Sequence, residues 1–277
     1  MACLYLVATP IGNLGDISPR ALEMLATADF IAAEDTRVTR RLLMHFGIDK
    51  PVVSYYEFNK ERSGEAILAR LLAGESCALV SDAGTPAISD PGEPLVRLCG
   101  ENGIPVTSVP GPCAAICALT LSGLDTSRFM FEGFLPTEKR KLEERLSLLA
   151  CHTCTFILYE APHRLLRTLE ALAHCLGEER RIAVCRELTK LHEEVLRTTL
   201  AGALAHFTQN APRGEFVLVL EGGVPRQEAP FWEALSVQEH VAYHEKQGLS
   251  RMDAVKQTAK ERGVPKNEIY RQTLPNR

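Results

Sequence analysis

The chain has 277 residues, 45% hydrophobic and 24% charged, which suits roughly two domains of about 100–200 residues each and excludes wholesale disorder. The net charge of −4 argues against a nucleic-acid binder until it is divided along the chain. Residues 226–277 hold nine Lys and Arg against seven Asp and Glu, and residues 245–277 hold eight against four, so basic character gathers at the C-terminus, as a polyanion-contacting module or an ordinary solvated helical tail would have it.

The first 122 residues alternate strand and helix signals. Cys3–Ala8 is a short apolar run suited to a strand buried on both faces. Ser18-Pro19 opens a helix, with Ser as cap and Pro at the first helical position. Strands are expected at Phe30–Ala33, Val52–Tyr56, Cys77–Ser81 and Val106–Val109. Helices are expected over Thr36–Phe46, Glu61–Ala73, Glu93–Glu101 and Pro112–Ser122, the second and third of the chain's helices being stopped by Gly47 and Gly74. Repeated strand–helix units with short connections predict a parallel sheet covered on both faces.

Beyond a boundary near Gly123 the pattern changes. Strands are expected at Phe129–Phe134, Thr155–Tyr159, Arg181–Arg186, Val195–Leu200 and Phe216–Glu221, with helices over Glu138–Leu149 and Pro162–Cys175. Short strand-to-strand connections favour antiparallel pairing and a mixed sheet. A linker starts at Gly222-Gly223-Val224-Pro225 and runs to about Pro230. Helical segments over about 231–246, 250–262 and 266–274 follow, with Ser250 and Asp253 as a capping pair and a break at Gly263-Val264-Pro265, which is consistent with a helix-turn-helix. The expected organisation is therefore α/β: a parallel-sheet domain over 1–122, a mixed-sheet domain over 123–225 with a cleft between them, and a small helical extension over 226–277.

Of nine cysteines, Cys3, Cys77, Cys99, Cys113, Cys117, Cys175 and Cys185 lie in apolar runs, as reduced buried thiols do in a cytosolic protein. Cys151 and Cys154 form a C-x-x-C with no second ligand pair nearby, so no metal is expected. No apolar run approaches the ~18 residues of a membrane span, and the N-terminal Met-Ala-Cys-Leu-Tyr-Leu-Val lacks a positive leader, so a soluble cytoplasmic protein is expected.

Chemistry is expected in three loops at the carboxyl ends of parallel strands. They are Thr9-Pro10-Ile11-Gly12-Asn13-Leu14-Gly15-Asp16, Asp82-Ala83-Gly84-Thr85-Pro86 continuing to Ser89-Asp90-Pro91-Gly92, and Pro110-Gly111-Pro112-Cys113-Ala114. Glycine lets backbone approach a ligand and proline holds the loop shape. There is no phosphate-loop sequence, and none of the three loops contains Lys or Arg, so a polyphosphate gripped by side-chain cations is not expected. Asp16, Asp82 and Asp90 suit a ligand with hydroxyls, an ammonium or a sulfonium, and S-adenosylmethionine meets those requirements.

Several strings carry a resemblance: Tyr5-Leu6-Val7-Ala8-Thr9-Pro10-Ile11-Gly12-Asn13-Leu14, Ala33-Glu34-Asp35-Thr36-Arg37, Val80-Ser81-Asp82-Ala83-Gly84-Thr85-Pro86, Asp90-Pro91-Gly92, Tyr159-Glu160-Ala161-Pro162-His163-Arg164, Arg186-Glu187-Leu188-Thr189-Lys190 and Gly214-Glu215-Phe216. In this order they resemble the tetrapyrrole (corrin/porphyrin) methylase family, and within it the branch that methylates ribose 2′-hydroxyls of bacterial small-subunit (16S) rRNA. The C-terminal helices are similar to that branch's extension. The resemblance implies a homodimer that binds S-adenosylmethionine between two α/β domains and methylates a cytidine in the decoding region, on free rRNA or the assembled small subunit. It implies cofactor contacts at Pro10, Ile11, Gly12, Leu14, Asp82, Ala83, Thr85, Cys113 and Ala114, with Gly214 and Phe216 from the second domain. Cys113 stands where the branch usually has Ser.

An in-line attack by a ribose hydroxyl is aided by a base. Glu34, Asp35, Glu160, Glu187 and Lys190 are candidates, with alternatives open: Glu34 and Asp35 could pair with Arg37 or cap a helix, and Glu187 with Lys190 could be a structural ion pair. Candidate RNA contacts are Arg37, Arg40 and Arg41 on one helix, His163, Arg164 and Arg186 at strand ends, and Lys256, Lys260, Lys266 and Arg271 on the tail. Two other readings compete: a tetrapyrrole methyltransferase, which has no need of a basic tail, and a non-enzymatic small-molecule sensor whose tail binds DNA.

Overall fold

The computed structural model describes residues 2–223 and 230–273. The chain divides into two compact units, Met1–Gly223 and Val224–Arg277.

In the larger unit, β1 (Leu4–Val7), β2 (Phe30–Ala33), β3 (Val52–Ser54), β4 (Cys77–Val80) and β5 (Val106–Val109) form a parallel sheet in the order β3-β2-β4-β1-β5. Side chains alternate across the pleat. Leu4, Phe30, Ala32, Cys77 and Leu79 pack under α3 (Lys60–Leu72) and α4 (Glu93–Glu101), which contribute Ile67, Leu71, Leu95 and Cys99. Val7, Ile31, Ala33, Ala78 and Val80 pack under α1 (Pro19–Thr27) and α2 (Thr36–His45), which contribute Ala21, Leu25 and Leu43. The central strands must therefore be apolar at every position, which is why they read as unbroken hydrophobic runs. The chain leaves β1 toward β2 on one side and leaves β4 toward β5 on the other. β1 and β4 are neighbours, so the sheet's topological switch point lies between them, and the loops that follow them diverge to open a crevice.

A second sheet has the order β6-β7-β10-β8-β9, from β6 (Phe129–Phe134), β7 (Thr155–Glu160), β8 (Arg181–Arg186), β9 (Glu194–Thr199) and β10 (Phe216–Leu220). β6 runs parallel to β7 and the other pairings are antiparallel, giving the expected mixed sheet. One face carries Phe156, Leu158, Val184 and Leu218 against α6 (Lys139–Cys151), α7 (Leu165–Leu176) and α8 (Leu200–Gln209). The other face carries Ile157, Ala183, Val217 and Val219, and it is covered by α5 (Ala114–Ser122) through Ala115, Ala118 and Leu119, together with Ile11 from the loop after β1. Each such buried aliphatic side chain is worth about 1.5–3 kcal/mol. Helix α5 thus follows the last strand of the first sheet and packs on the second. Its sequence is apolar nearly all round although Ile116 and Thr120 are exposed, and it ends on Gly123 in the left-handed conformation, φ 70°.

Two elements differ from expectation. No helix was expected after β9, yet Thr199 caps α8 directly, its hydroxyl accepting the Gly202 N–H at 3.2 Å, so strand passes into helix with no Gly or Pro between. The helix expected from 231 begins at Val237 instead, because Ser236 and Glu239 form a reciprocal capping box. Most of the expected linker, residues 224–229, lies outside the described residues.

In the smaller unit, α9 (Val237–Lys246), α10 (Arg251–Arg262) and α11 (Lys266–Gln272) bury Val241, Ala254, Val255, Ala259 and Ile269 together. His240 is fully buried and stacks on Trp232. Its Nε2 lies 2.7 Å from Glu261, which His244 Nε2 also reaches at 3.0 Å. These three side chains are close enough together to surround an ion. Arg262 Nε, however, donates to His240 Nδ1 at 3.1 Å, which leaves the proton of neutral His240 on Nε2, facing Glu261. A metal on Nε2 would turn an Nδ1–H against the guanidinium, so the geometry suits a hydrogen-bonded core better than an ion site. Burial lowers the His240 pKa, against the opposing pull of Glu261.

Candidate active site

The loops after β1 and β4 are tied together at their roots. Thr9 N–H donates to Gly84 O at 2.9 Å and Gly84 N–H returns to Thr9 O at 3.0 Å. Thr85 Oγ1 donates to Pro112 O at 3.0 Å, which adds the loop after β5. Gly84 has φ 84°, a left-handed conformation that L side chains rarely adopt, and Gly111 leaves room for Ala8, whose Cβ lies 2.9 Å from where a Gly111 Cβ would stand.

A cavity of about 320 Å³ lies between these loops and the second sheet. The first sheet's side supplies Ile11, Ala83, Gly84, Thr85, Ile88, Ser89, Asp90, Cys113 and Ala114. The second sheet's side supplies Phe134, Tyr159, Glu160, Ala161, Pro162, Cys185, Leu188, Glu215, Phe216 and Val217. Its size falls within the usual range for small-molecule sites, about 300–1,000 Å³. Tyr159 packs edge-on against Phe131 and Phe134, and burial pushes its phenol up to about 12. Among the described residues, no Lys, Arg or His side chain lines this cavity.

A second cavity of about 580 Å³ lies on the other side of the same loops, bounded by Pro10, Gly12, Leu14, Asp82 and the α2 residues Val38, Thr39, Arg41, Leu42, Met44 and His45. Adjacent residues face opposite ways: Ile11 and Ala83 line the first cavity, while Pro10, Gly12 and Asp82 line the second. The expected cofactor residues are thus divided. Ile11, Ala83, Thr85, Cys113, Ala114 and Phe216 line the first cavity, and Pro10, Gly12, Leu14 and Asp82 line the second. Gly214 lines neither; with φ 84°, it lies against Glu187, whose Cδ is 2.6 Å from where a Gly214 Cβ would stand.

The candidate bases differ in what holds them. Asp35 caps α2 through Arg37 N–H at 2.8 Å and pairs with the Arg37 guanidinium at 2.6 Å, which holds its carboxyl far below the usual range. Glu160 is 3% exposed and accepts from Ala161 N at 2.8 Å and Thr168 Oγ1 at 2.5 Å, with Arg164 Nε at 3.4 Å. Glu187 accepts the Glu215 N–H and Lys190 Nζ, both at 2.9 Å, which lower its pKa. Burial alone would pull Lys190 down, but Glu187 and Glu215, each 2.9 Å from Nζ, outweigh it and raise its pKa, so it stays charged and unsuited to accept a proton. Glu34, at the end of β2, has its carboxyl raised by burial and by Asp82 and Asp35. Asp90 departs further: burial, then Glu34 and Asp82, push it up to about 7 against the opposing effect of the Ser81 hydroxyl. The sequence marked Asp90 as an acidic loop residue and not as a base. Its Ser-Asp-Pro-Gly setting was the available signal, but burial beside two other carboxylates is a property of the fold.

The expected RNA-binding cations are dispersed. Arg40 and Arg41 are exposed on α2 and have no ion-pair partner among the described residues, and Arg41 borders the second cavity. Arg37 is engaged by Asp35. Arg164 is held by Glu160 and by Leu135 O, to which Nη2 donates at 2.7 Å. Arg186 lies 3.3 Å from Glu194 and His163 is exposed. In the smaller unit Lys256 pairs with Asp253 at 2.9 Å, while Lys260, Lys266 and Arg271 are exposed.

A switch-point crevice closed by a second, mixed sheet defines a class of two-sheet α/β proteins that hold a small ligand between the sheets. Residues 3–204 match the Tetrapyrrole (Corrin/Porphyrin) Methylases, and the chain belongs to that family. The ribosomal RNA small subunit methyltransferase I of Synechocystis sp. is 51% identical over 274 residues, covering 99% of this chain and 98% of its own. The protein of the same name from Halalkalibacterium halodurans is 48% identical over 269 residues, covering 96% and 93%. Among solved structures, the uroporphyrin-III C-methyltransferase of Thermus thermophilus complexed with S-adenyl homocysteine shares the fold at a TM-score of 0.55 and 18% identity, over 78% of this chain and 96% of its own.

Proposed function

We propose that this protein is an S-adenosylmethionine-dependent methyltransferase whose substrate is the 2′-hydroxyl of a cytidine ribose in the decoding region of small-subunit rRNA. The observation that carries the reading is the first cavity: it is of ligand size, walled by close-approaching glycine loops and aromatic rings, and bears carboxylates with no lining cation. Such a lining disfavours a polyphosphate and favours a positively charged donor. The small-subunit rRNA methyltransferases at 48–51% identity support the choice of substrate.

Ile11, Ala83, Thr85, Cys113, Ala114 and Phe216 would hold the donor. When bound, it supplies an electrophilic sulfonium methyl group. The loops would fix its position and the second sheet would exclude water from it, leaving the methyl group to face the ribose oxygen. Arg41 beside the second cavity with Arg40 next to it, and the basic side chains of α10 and α11, would take phosphates. On this reading 1–122 and 123–225 are the two lobes around the donor, and the protein acts in the cytoplasm as a homodimer; no helix among the described residues is long and apolar enough to cross a membrane.

The test is transfer of labelled methyl groups to small ribosomal subunits, to free small-subunit rRNA and to a precorrin, with the modified position mapped. Label in one ribose of the RNA is expected. Label only in the macrocycle would transfer the assignment to a tetrapyrrole methylase. Salt-sensitive, sequence-selective duplex binding without transfer would favour a regulator.

A further inference from the structure

We propose that Asp90 is the catalytic proton acceptor for the attacking ribose hydroxyl, with Glu34 as a positioning residue behind it. The assignment rests on the RNA-methylation reading above and deepens it.

Asp90 is placed to meet both ligand and interior. Its side chain lines the first cavity and also a small cavity behind the loop, which Glu34 and Tyr55 share. That small cavity is about 10 Å³, close to the space one water needs, and it has polar groups around it. Tyr55 is 1% exposed, and its hydroxyl has no hydrogen-bond partner among the described residues.

The loop that presents Asp90 is held in an unfavourable backbone shape. Ala87 and Ser89 are both non-glycine residues in the left-handed region, at φ 67° and 63°. Gly92 folds back onto Ala87 so closely that a Cβ there would stand 2.6 Å from the Ala87 Cβ. Strain of this kind persists where the surroundings impose it, and it clusters at functional sites.

The Ser81 hydroxyl, from the end of β4, acts on Asp90 in the direction opposite to burial. Glu34 comes from the end of β2 and Asp82 from the end of β4, and both are carboxylates. Tyr159 comes from β7, with a phenol that burial keeps protonated at neutral pH. Across the cavity, Glu160 and Glu215 are engaged by Arg164 and Lys190. An unpaired carboxyl beside two others, half removed from water, releases its proton near neutrality, and this is the range in which a base serves a weak nucleophile. In the step itself the ribose oxygen forms the new O–C bond with its own electron pair. The C–S bond breaks with its pair kept by sulfur, leaving a neutral thioether, and the hydroxyl proton passes to Asp90 and on to solvent.

The test uses the full-length protein in two arms. In the first, the Asp90 carboxyl is titrated by carbon-detected NMR without donor, its signal assigned by its loss in Asp90→Asn. It should titrate well above the ordinary value of about 3.9 and move down in Glu34→Gln. In the second, single-turnover transfer to small subunits is measured against pH at saturating donor, with donor affinity followed by calorimetry. Asp90→Asn should lower the rate by about 10²–10⁴ while donor affinity stays within a few-fold, and Asp90→Glu should restore part of it. The acid limb of the parent profile should follow the NMR titration and shift down in Glu34→Gln. A rate within a few-fold of the parent in Asp90→Asn, a large loss of donor affinity, or an ordinary Asp90 titration overturns the assignment. If the parent protein itself transfers nothing to RNA while binding donor, the substrate reading fails and takes this role with it.

Discussion

On the second sheet's side of the main cavity each carboxylate has partners: Glu160 has Thr168 and Arg164, Glu215 has Lys190, and Glu187, behind them, has both Lys190 and a backbone N–H. On the first sheet's side Glu34 and Asp90 have no ion-pair partner among the described residues, and Asp82 adds a third negative charge. Asp90 lines the cavity itself, with Glu34 behind it and Asp82 on the second cavity's side. The matched wall behaves as scaffold, its charges spent on fixing strand ends. The unmatched wall retains unfavourable charge near the ligand, as functional sites do when stability is subordinate to chemistry.

Substitutions on the two walls should have opposite effects on stability. The largest stability effect is expected on the matched wall: Glu160→Ala should cost about 3 kcal/mol, because it leaves Arg164 and Thr168 without their buried acceptor, and denaturant unfolding measures it. Gly12→Ala should follow at about 1–3 kcal/mol, since its new methyl would stand 2.9 Å from Thr189 Oγ1 and against the Lys190 stem. The same denaturant unfolding measures it.

Asp90→Asn should show the opposite sign. The folded-state pKa of about 7 lies above that of the unfolded chain, so the native state binds the extra proton. The ionised group therefore weighs against folding, fully above about pH 7 and not at all below the unfolded value. The variant should be more stable than the parent by about 1–2 kcal/mol at high pH, after allowance for the screening of a half-exposed group, and by nothing in acid. Thermal unfolding at both extremes sharpens the contrast; destabilisation at high pH would place Asp90 with the matched acids. The smallest effect is expected at Cys113, which sits at the cap of α5 without a side-chain cap bond. Cys113→Ser should add about 0.5–1 kcal/mol, measured by the same melts.

The sheets were legible because their signal is local. The fully apolar runs Phe30–Ala33 and Cys77–Val80 announce strands buried on both faces, and the Gly-Pro loops announce the crevice edge. Helix α8 was not legible, because the side chain of Thr199 ends the strand and starts the helix without a breaker residue. The division of the loop residues between two cavities was not legible either. Pro10 and Ile11 are neighbours in sequence, and only the packing of Ile11 on the second sheet sends them to opposite sides. In the same way, Glu160 and Asp90 are both acids in distinctive motifs, and what separates them is the pairing of Glu160 with Thr168 and Arg164 in the folded chain.

Helix α5 belongs to one half of the larger unit by chain order and to the other by packing. Severing the chain at Gly123 would therefore not release two self-sufficient pieces. The C-terminal fragment would present Ile157, Ala183, Val217 and Val219 to water, and the N-terminal fragment would trail an apolar helix with nothing to cover it. Co-expressed, the pair carries its own adhesive for reassembly, which makes this junction a natural place to build a split reporter in which ligand binding and fragment complementation are one event.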